Sequence, residues 1–169
     1  MRCSLGVVMI ASLAFVACKS VRPFSVAHVD RAVTGPSKFP IAIDPSRVGT
    51  FPGETKSGAG FFYDEVLEYR VWLHPERGAR RLAGDADYYA AFARYESALE
   101  YSARTDGAEE PLVLVRQREH VNEPTPGNFI WEKTERLTEW QVEWLKGSLR
   151  GPTSIADFLA NPPVGKTTP

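Results

Sequence analysis

Residues 65–74 read EVLEYRVWLH, and this stretch decides the fold of the chain. From Leu67 to Leu73 every second residue is a large apolar one. The intervening positions carry Glu68, Arg70 and Trp72. A period of two is typical of a β-strand with one buried face. We therefore predict a strand over Glu65–His74, followed by a charged loop over Pro75–Asp85.

The stretch after this loop predicts a helix. Asp85 or Asp87 can cap its N-terminus, because a short carboxylate accepts hydrogen bonds from the first free amides and suits the positive end of the helix dipole. Large apolar residues then recur at steps of four, three and four, at Tyr88, Phe92, Tyr95 and Leu99. This spacing places them on one helical face. We expect Phe92 and Tyr95 to anchor the helix on the sheet, and Gly107 to end it.

The second half of the chain predicts further strands. Alternating apolar residues indicate strands over Leu112–Val121 and Asn128–Glu135, with a proline-containing turn at Glu123–Gly127 between them. Leu137–Leu145 fits both a strand and a helix, and its tryptophans favour the strand. Thr153–Ala160 predicts a short helix that ends at the following prolines.

These elements predict an α+β domain in which one helix packs on a small, mostly antiparallel sheet, in the order strand-helix-strand-strand. A short C-terminal helix completes it. We expect the domain to span residues 61–160, because about 100 residues suffice for one core. Residues 18–60 are rich in proline and glycine and predict a flexible tether. Residues 161–169 predict a disordered tail.

The N-terminus predicts export from the cytoplasm. Met1-Arg2 provides a charged start, and an apolar run of 13 residues follows from Leu5 to Ala17. This run is too short for the ~30 Å hydrocarbon core of a bilayer. A signal peptide over residues 1–17 explains it better than an anchoring helix.

Cys18 directly follows this apolar run. The preceding Phe15-Val16-Ala17 resembles the lipobox of bacterial lipoproteins, although the lipobox usually begins with leucine. The resemblance implies a diacylglycerol on the Cys18 thiol, cleavage before it, acylation of the new amine with a fatty acid such as palmitate, and attachment to a membrane. Small residues at Ser25-Val26-Ala27 leave an ordinary signal-peptidase cut as the alternative.

Composition limits the partners of the exported chain. The only cysteine besides Cys18 is Cys3, inside the signal, so we expect no disulfide in the domain. Removal of residues 1–17 takes away one cation, Arg2, and changes the formal net charge from −1 to −2. Nucleic acid is an unsuitable partner, because phosphate binding needs a basic surface.

The loop Arg81-Leu82-Ala83-Gly84-Asp85-Ala86 resembles the Arg/Gln-x-x-Gly-x-Gly/Ala loop of the GNAT family of N-acetyltransferases. Residues 107–115 resemble the next strand of that family. The resemblance implies that Arg81, Gly84 and Ala86, with the N-terminus of the helix that follows, hold the pyrophosphate of acetyl-CoA.

Other chemistry-bearing residues give weaker signals. His28, His74 and His120 lack the spacing of metal ligands, so we interpret them as solvated histidines and predict no metal, no cofactor and no catalytic residue. Trp72 and Trp131 are the candidates for an aromatic binding patch, which we place on the sheet face opposite the helix.

The leading hypothesis is a membrane-anchored envelope lipoprotein with a non-catalytic binding domain. Its sheet is expected to bind another envelope protein or a glycan. The alternative is a GNAT-like protein that binds acetyl-CoA at Arg81–Ala86. Lysine rather than aspartate follows Cys18, and by analogy with other lipoproteins this favours the periplasmic face of the outer membrane.

Overall fold

The computed structural model describes residues 25–27, 35–53, 55, 60–82 and 84–162. Within these ranges the chain forms seven strands, two α-helices and three short 3-10 helices. The strands are β1 Ser25–Ala27, β2 Glu65–Leu73, β3 Tyr88–Phe92, β4 Leu112–Gln117, β5 His120–Thr125, β6 Asn128–Glu132 and β7 Arg136–Gln141. The α-helices are α1 Tyr95–Ala103 and α2 Ser154–Ala160. The 3-10 helices are Pro45–Arg47, Pro75–Arg77 and Val142–Leu145.

The architecture is α+β, as predicted. Five strands form one sheet in the order β1-β3-β2-β4-β7. The β1–β3 pair is parallel, and the other pairs in this sheet are antiparallel. β5 and β6 form a separate hairpin, inserted in the chain between β4 and β7. Helix α1 packs on β2 and β3, and the short α2 lies near the C-terminus.

Strand β2 is the centre of the sheet, and its prediction is confirmed. Tyr69, Val71 and Leu73 point towards α1 and belong to the main core. The intervening Glu68 and Arg70 lie on the opposite face and are also fully buried. The alternation therefore holds from Tyr69 to Leu73, and both faces are covered. Leu67 departs from it, because the pairing with β4 shifts register between Val66 and Glu68, and Leu67 packs with Phe51 and Leu114 in a second cluster.

The predicted helix from Asp85 or Asp87 onwards is wrong in its first half. Tyr88–Phe92 is strand β3, all five of whose residues are buried, and α1 begins only at Tyr95. β3 hydrogen-bonds to a neighbouring strand along both edges, and these long-range pairings override the helical spacing. Leu99, which was assigned to the buried stripe, is 43% exposed.

Phe92 and Tyr95, the two residues that the sequence predicted as anchors, do anchor the helix, although they belong to different elements. Phe92 on β3 is buried and packs against Tyr101 of α1, with ring centroids 5.2 Å apart. Tyr95 on α1 packs against Tyr69 and Phe39. The contact therefore joins sheet to helix.

Further boundaries differ from the prediction. β5 runs to Thr125, inside the predicted turn Glu123–Gly127, and β6 ends at Glu132 rather than Glu135. The strand predicted over Leu112–Val121 is broken at residues 118–119, which turn β4 into β5. Leu137–Leu145 is a strand in its first part and a helix in its second, because β7 ends at Gln141 and the 3-10 helix Val142–Leu145 follows.

The tether predicted over residues 18–60 is wrong for residues 35–53, which belong to the folded domain. Phe39, Ala42 and Phe51 are buried in this segment. Its backbone is fixed to the sheet, since Ala42 N donates to Ala93 O (2.9 Å) and Ile43 N donates to Val66 O (2.8 Å). The prolines and glycines here form turns that bring apolar side chains to the core.

The predicted signal peptide and Cys18 lie outside the described residues. In the part of the chain that the structure does describe, neither α-helix has the length and apolar character needed to cross a bilayer.

Candidate functional site

The residues of the GNAT-like loop lie on an exposed connection between β2 and β3. Gly84 has a φ of +67°, and Arg81 Nε forms an exposed ion pair with Asp85 Oδ1 at 3.0 Å. Ala86 is half-buried immediately before β3. A strand, β3, rather than a helix follows the loop. The helix that would hold a pyrophosphate is therefore not at the position that the resemblance requires.

The predicted aromatic patch is divided between two sheets. Trp72 lies on the face of β2 opposite α1, as expected, where its ring packs 5.1 Å from that of Tyr89 and its Nε1 donates to Glu139 (3.1 Å). Trp131 lies on β6 of the separate hairpin and is 38% exposed. The two indoles do not share a sheet face, so the predicted placement is wrong for Trp131.

An internal charge cluster occupies the face opposite α1. Arg70 donates from Nε to Glu68 (2.7 Å) and from Nη1 to Glu139 (2.7 Å), and its guanidinium lies 4.3 Å from the Tyr89 ring centre. Residues 49–53 cover this cluster, because Pro52 O accepts from Arg70 and Gly49 N donates to Glu68. This part of the sheet is therefore closed to a partner.

A groove lies at the other side of the molecule. It has a cavity volume of about 560 Å³ and runs between α1, the segment leading into β4, and the end of β7. Its apolar lining consists of Tyr95, Leu99, Ala108, Pro111, Leu112 and Val142. Its polar lining consists of Arg77, Glu109, Glu110, Gln141 and Glu143. A concavity of this volume, lined by both apolar and charged side chains, has the size of an ordinary binding site.

The two rims of the groove differ in charge. On one rim, Glu143 accepts hydrogen bonds from Lys146 and Lys38. These bonds, with that from Lys146 the stronger cause, lower the pKa of the Glu143 carboxyl, and the two positive charges outnumber its single negative charge. On the other rim, Arg77 Nη1 donates to Glu109 Oε1 (2.9 Å), and Glu110 is exposed beside it. One rim is thus locally basic and the other locally acidic.

A cluster of titratable side chains adjoins the acidic rim through Glu109. His74, at the end of β2, is 9% exposed. Its Nδ1 lies 3.1 Å from Asp87 Oδ1 and 3.6 Å from Glu76 Oε1, and its Nε2 lies 2.9 Å from Glu109 Oε1. The four residues come from three separate parts of the chain.

The backbone holds His74 firmly in this position. His74 N donates to Gly107 O (2.9 Å), and His74 O accepts from Arg77 N (2.9 Å) and Ala79 N (3.2 Å). Gly107 has a φ of +69°, and a Cβ there would lie 2.7 Å from His74 O. The glycine therefore allows the close approach that orients the imidazole.

The interpretation of the three histidines as solvated is wrong for the two that the structure describes. His74 and His120 are both buried, at 9% and 6% exposure, and His28 lies outside the described residues. The sequence offered one local signal for the His74 cluster, the His-x-Glu spacing of His74 and Glu76. Asp87 and Glu109 join it only through the pairing of β2 with its neighbours.

Comparison with known proteins gives no relative from which a function could be transferred: no protein-family model, no curated protein and no solved structure matches the chain.

Proposed function

We propose that the protein is a membrane-anchored envelope lipoprotein whose folded domain is a non-catalytic binding module, and that the groove beside α1 is its binding surface. The observation that supports this proposal is the groove itself. It combines apolar side chains with charged side chains of both signs, while the sheet face opposite α1 is occupied by residues 49–53.

The lining of the groove favours a polypeptide segment of another envelope protein as the occupant. Leu99 is 43% exposed on the floor, so an apolar side chain of a partner would remove it from water. Glu110 on the acidic rim is exposed and suits a lysine or arginine. We therefore infer that the bound segment carries an apolar residue next to a basic one.

Selection from a displayed peptide library tests this function. Peptides selected on the wild-type domain should be enriched in an apolar residue next to lysine or arginine. Leu99→Glu places a charge on the groove floor and should weaken their binding by at least tenfold. The matched control is Leu82→Glu, because Leu82 is a similarly exposed leucine (40%) that does not line the groove.

Equal binding by Leu99→Glu and wild type would exclude the groove as the binding surface. Selection of no peptide, together with binding of an envelope glycan that Leu99→Glu leaves unchanged, would overturn the proposal in favour of a glycan partner elsewhere on the domain.

The anchoring part of the proposal depends on Cys18, the nucleophile at the end of the apolar run. Acyl chains contribute ~0.8 kcal/mol per buried methylene, so three chains attach a protein durably. The proposed location is the periplasmic face of the outer membrane. Cys18→Ser should abolish palmitate labelling and release the protein from the membrane fraction. Full retention of an unlabelled Cys18→Ser variant would contradict lipid anchoring.

A further inference from the structure

We propose that His74, Glu76 and Asp87 form a binding site for a divalent transition-metal ion, and that Zn²⁺ is the ion that this donor set fits. None of the three ligands lines the groove, so the proposal does not rest on the binding function, although Glu109 beside His74 borders both sites. Imidazole nitrogen and carboxylate oxygen are both ordinary zinc ligands, whereas an all-oxygen set would favour magnesium or calcium.

The three donor atoms already lie at nearly the distances that a bound ion requires. His74 Nδ1, a Glu76 oxygen and an Asp87 oxygen lie within 4.8 Å of one another, and Nδ1 is 3.1 Å and 3.6 Å from the two carboxylates. Zinc bonds of about 2.0–2.2 Å place tetrahedral donors roughly 3.3–3.6 Å apart. The Glu76 and Asp87 side chains are 57% and 46% exposed, so small rotations can close the remaining gap.

A second observation concerns the other ring nitrogen of His74. Nε2 is buried and makes no aligned hydrogen bond, although Glu109 Oε1 lies 2.9 Å away. Metal-bound histidines usually donate this second N–H to a carboxylate, which fixes the tautomer and leaves the opposite lone pair for the metal. A small rotation of Glu109 would complete that arrangement, while Arg77 Nη1 contacts the same carboxylate oxygen at 2.9 Å.

The local charge also favours a dication. Glu76, Asp87 and Glu109 surround His74, and Arg77 faces both Glu109 (2.9 Å) and Glu76 (3.5 Å). Three carboxylates against one guanidinium leave a formal charge of −2 when His74 is neutral. A divalent ion balances this charge. A proton on His74 balances only half of it.

Three protein ligands leave a fourth position for water. The position of His74 is set before any ion arrives, because its backbone is fixed to Gly107 and Ala79. The flexible carboxylates of Glu76 and Asp87 then adapt to the ion. We expect one ion per chain with micromolar affinity.

Calorimetric titration with ZnCl₂ tests the site. The full-length chain carries Cys3→Ser and Cys18→Ser, so that thiolates do not bind the ion, and is first dialysed against a chelator. The parent chain, with His74, Glu76 and Asp87 unchanged, should bind one ion and release protons on binding. The His74 ring resonances should shift in NMR spectra. Asp87→Asn should weaken binding at least tenfold. Glu109→Gln should weaken it about tenfold through the orientation of His74.

The control variant is Asp85→Asn, because Asp85 is an exposed carboxylate two residues away that pairs with Arg81 instead. It should bind Zn²⁺ as tightly as the parent chain. Equal affinities for Asp87→Asn and Asp85→Asn, or no binding of Zn²⁺ at millimolar concentration by the folded parent chain, would overturn the proposal.

Discussion

At the scale of single residues, Arg70 is the side chain whose environment departs furthest from what its chemistry prefers. It is fully buried, and so is its partner Glu68. Its guanidinium is satisfied by Glu68, Glu139 and the carbonyl of Pro52. A buried ion pair is weak evidence of a stabilising interaction, but removal of one partner leaves an uncompensated charge.

Arg70→Met should therefore lower the free energy of unfolding by about 3–5 kcal/mol, because Glu68 stays buried without its cation. Urea unfolding measures this change. The control is Arg118→Met, which removes an exposed arginine that pairs with Glu65 and should cost less than about 1 kcal/mol. Similar losses in the two variants would mean that Glu68 finds another partner or water.

Glu96 provides a pH-dependent contact between α1 and the segment at residues 35–53. Burial would raise the pKa of Glu96, but hydrogen bonds from Lys38 N and Ser37 Oγ, with the charge of Arg94, lower it overall. A lowered folded-state pKa stabilises the fold above the ordinary value of 4.5, and this stability is lost as pH falls through the lowered value.

We predict that Glu96→Gln removes this acid-dependent part of stability. Between pH 7 and pH 3 the urea midpoint should fall less for Glu96→Gln than for the wild type. Glu100→Gln, on the same helix and paired with the exposed Arg104, is the control and should keep the wild-type dependence. A Glu96→Gln profile parallel to the wild-type one would show that other carboxylates govern acid sensitivity.

At the scale of secondary-structure elements, the contact of β3 with α1 joins the helix to the sheet. Phe92→Ala should cost about 3–5 kcal/mol, because it empties a buried position against Tyr101. Thermal or urea unfolding measures this change. Leu99→Ala on the half-exposed side of α1 is the control, with an expected cost below about 1 kcal/mol. A negligible effect of Phe92→Ala would mean that the helix is not anchored through β3.

At the scale of the whole molecule, the folded domain extends well before residue 61. Phe39 and Phe51 come from this earlier segment, and they pack on opposite sides of the sheet. Tyr69, within the sheet, donates its hydroxyl to Pro40 O (2.5 Å). Burial raises the pKa of Tyr69, so this hydrogen-bonded phenol stays neutral well into the alkaline range.

A chain that begins at residue 61 should therefore not unfold cooperatively. It lacks two buried phenylalanines, each contributing about 1.5–3 kcal/mol, and the groups that cover Arg70 and Glu68. A domain has about 5–15 kcal/mol of stability in total. A chain that begins at residue 19 should show a sharp thermal transition by circular dichroism. Equal melting of the two chains would restore the original boundary at residue 61.

Local patterns in the sequence determined much of the fold. The alternation over residues 65–74 predicted β2, because a strand exposes successive side chains to opposite faces. The prolines after Ala160 marked the end of α2. These features depend on neighbouring residues alone, so the α+β class followed from them.

Only the tertiary structure decided the rest, because it depends on which distant segments meet. The aromatic spacing over Tyr88–Leu99 suits a helix, yet the edges of β1 and β2 make Tyr88–Phe92 a strand. The sequence alone suggests that Arg70 is a solvated strand residue, whereas in the structure residues 49–53 cover it. His74 reads as an isolated histidine until sheet pairing brings Asp87 and Glu109 to its two ring nitrogens. Spacing along the chain encodes local geometry, whereas long-range packing decides burial and proximity.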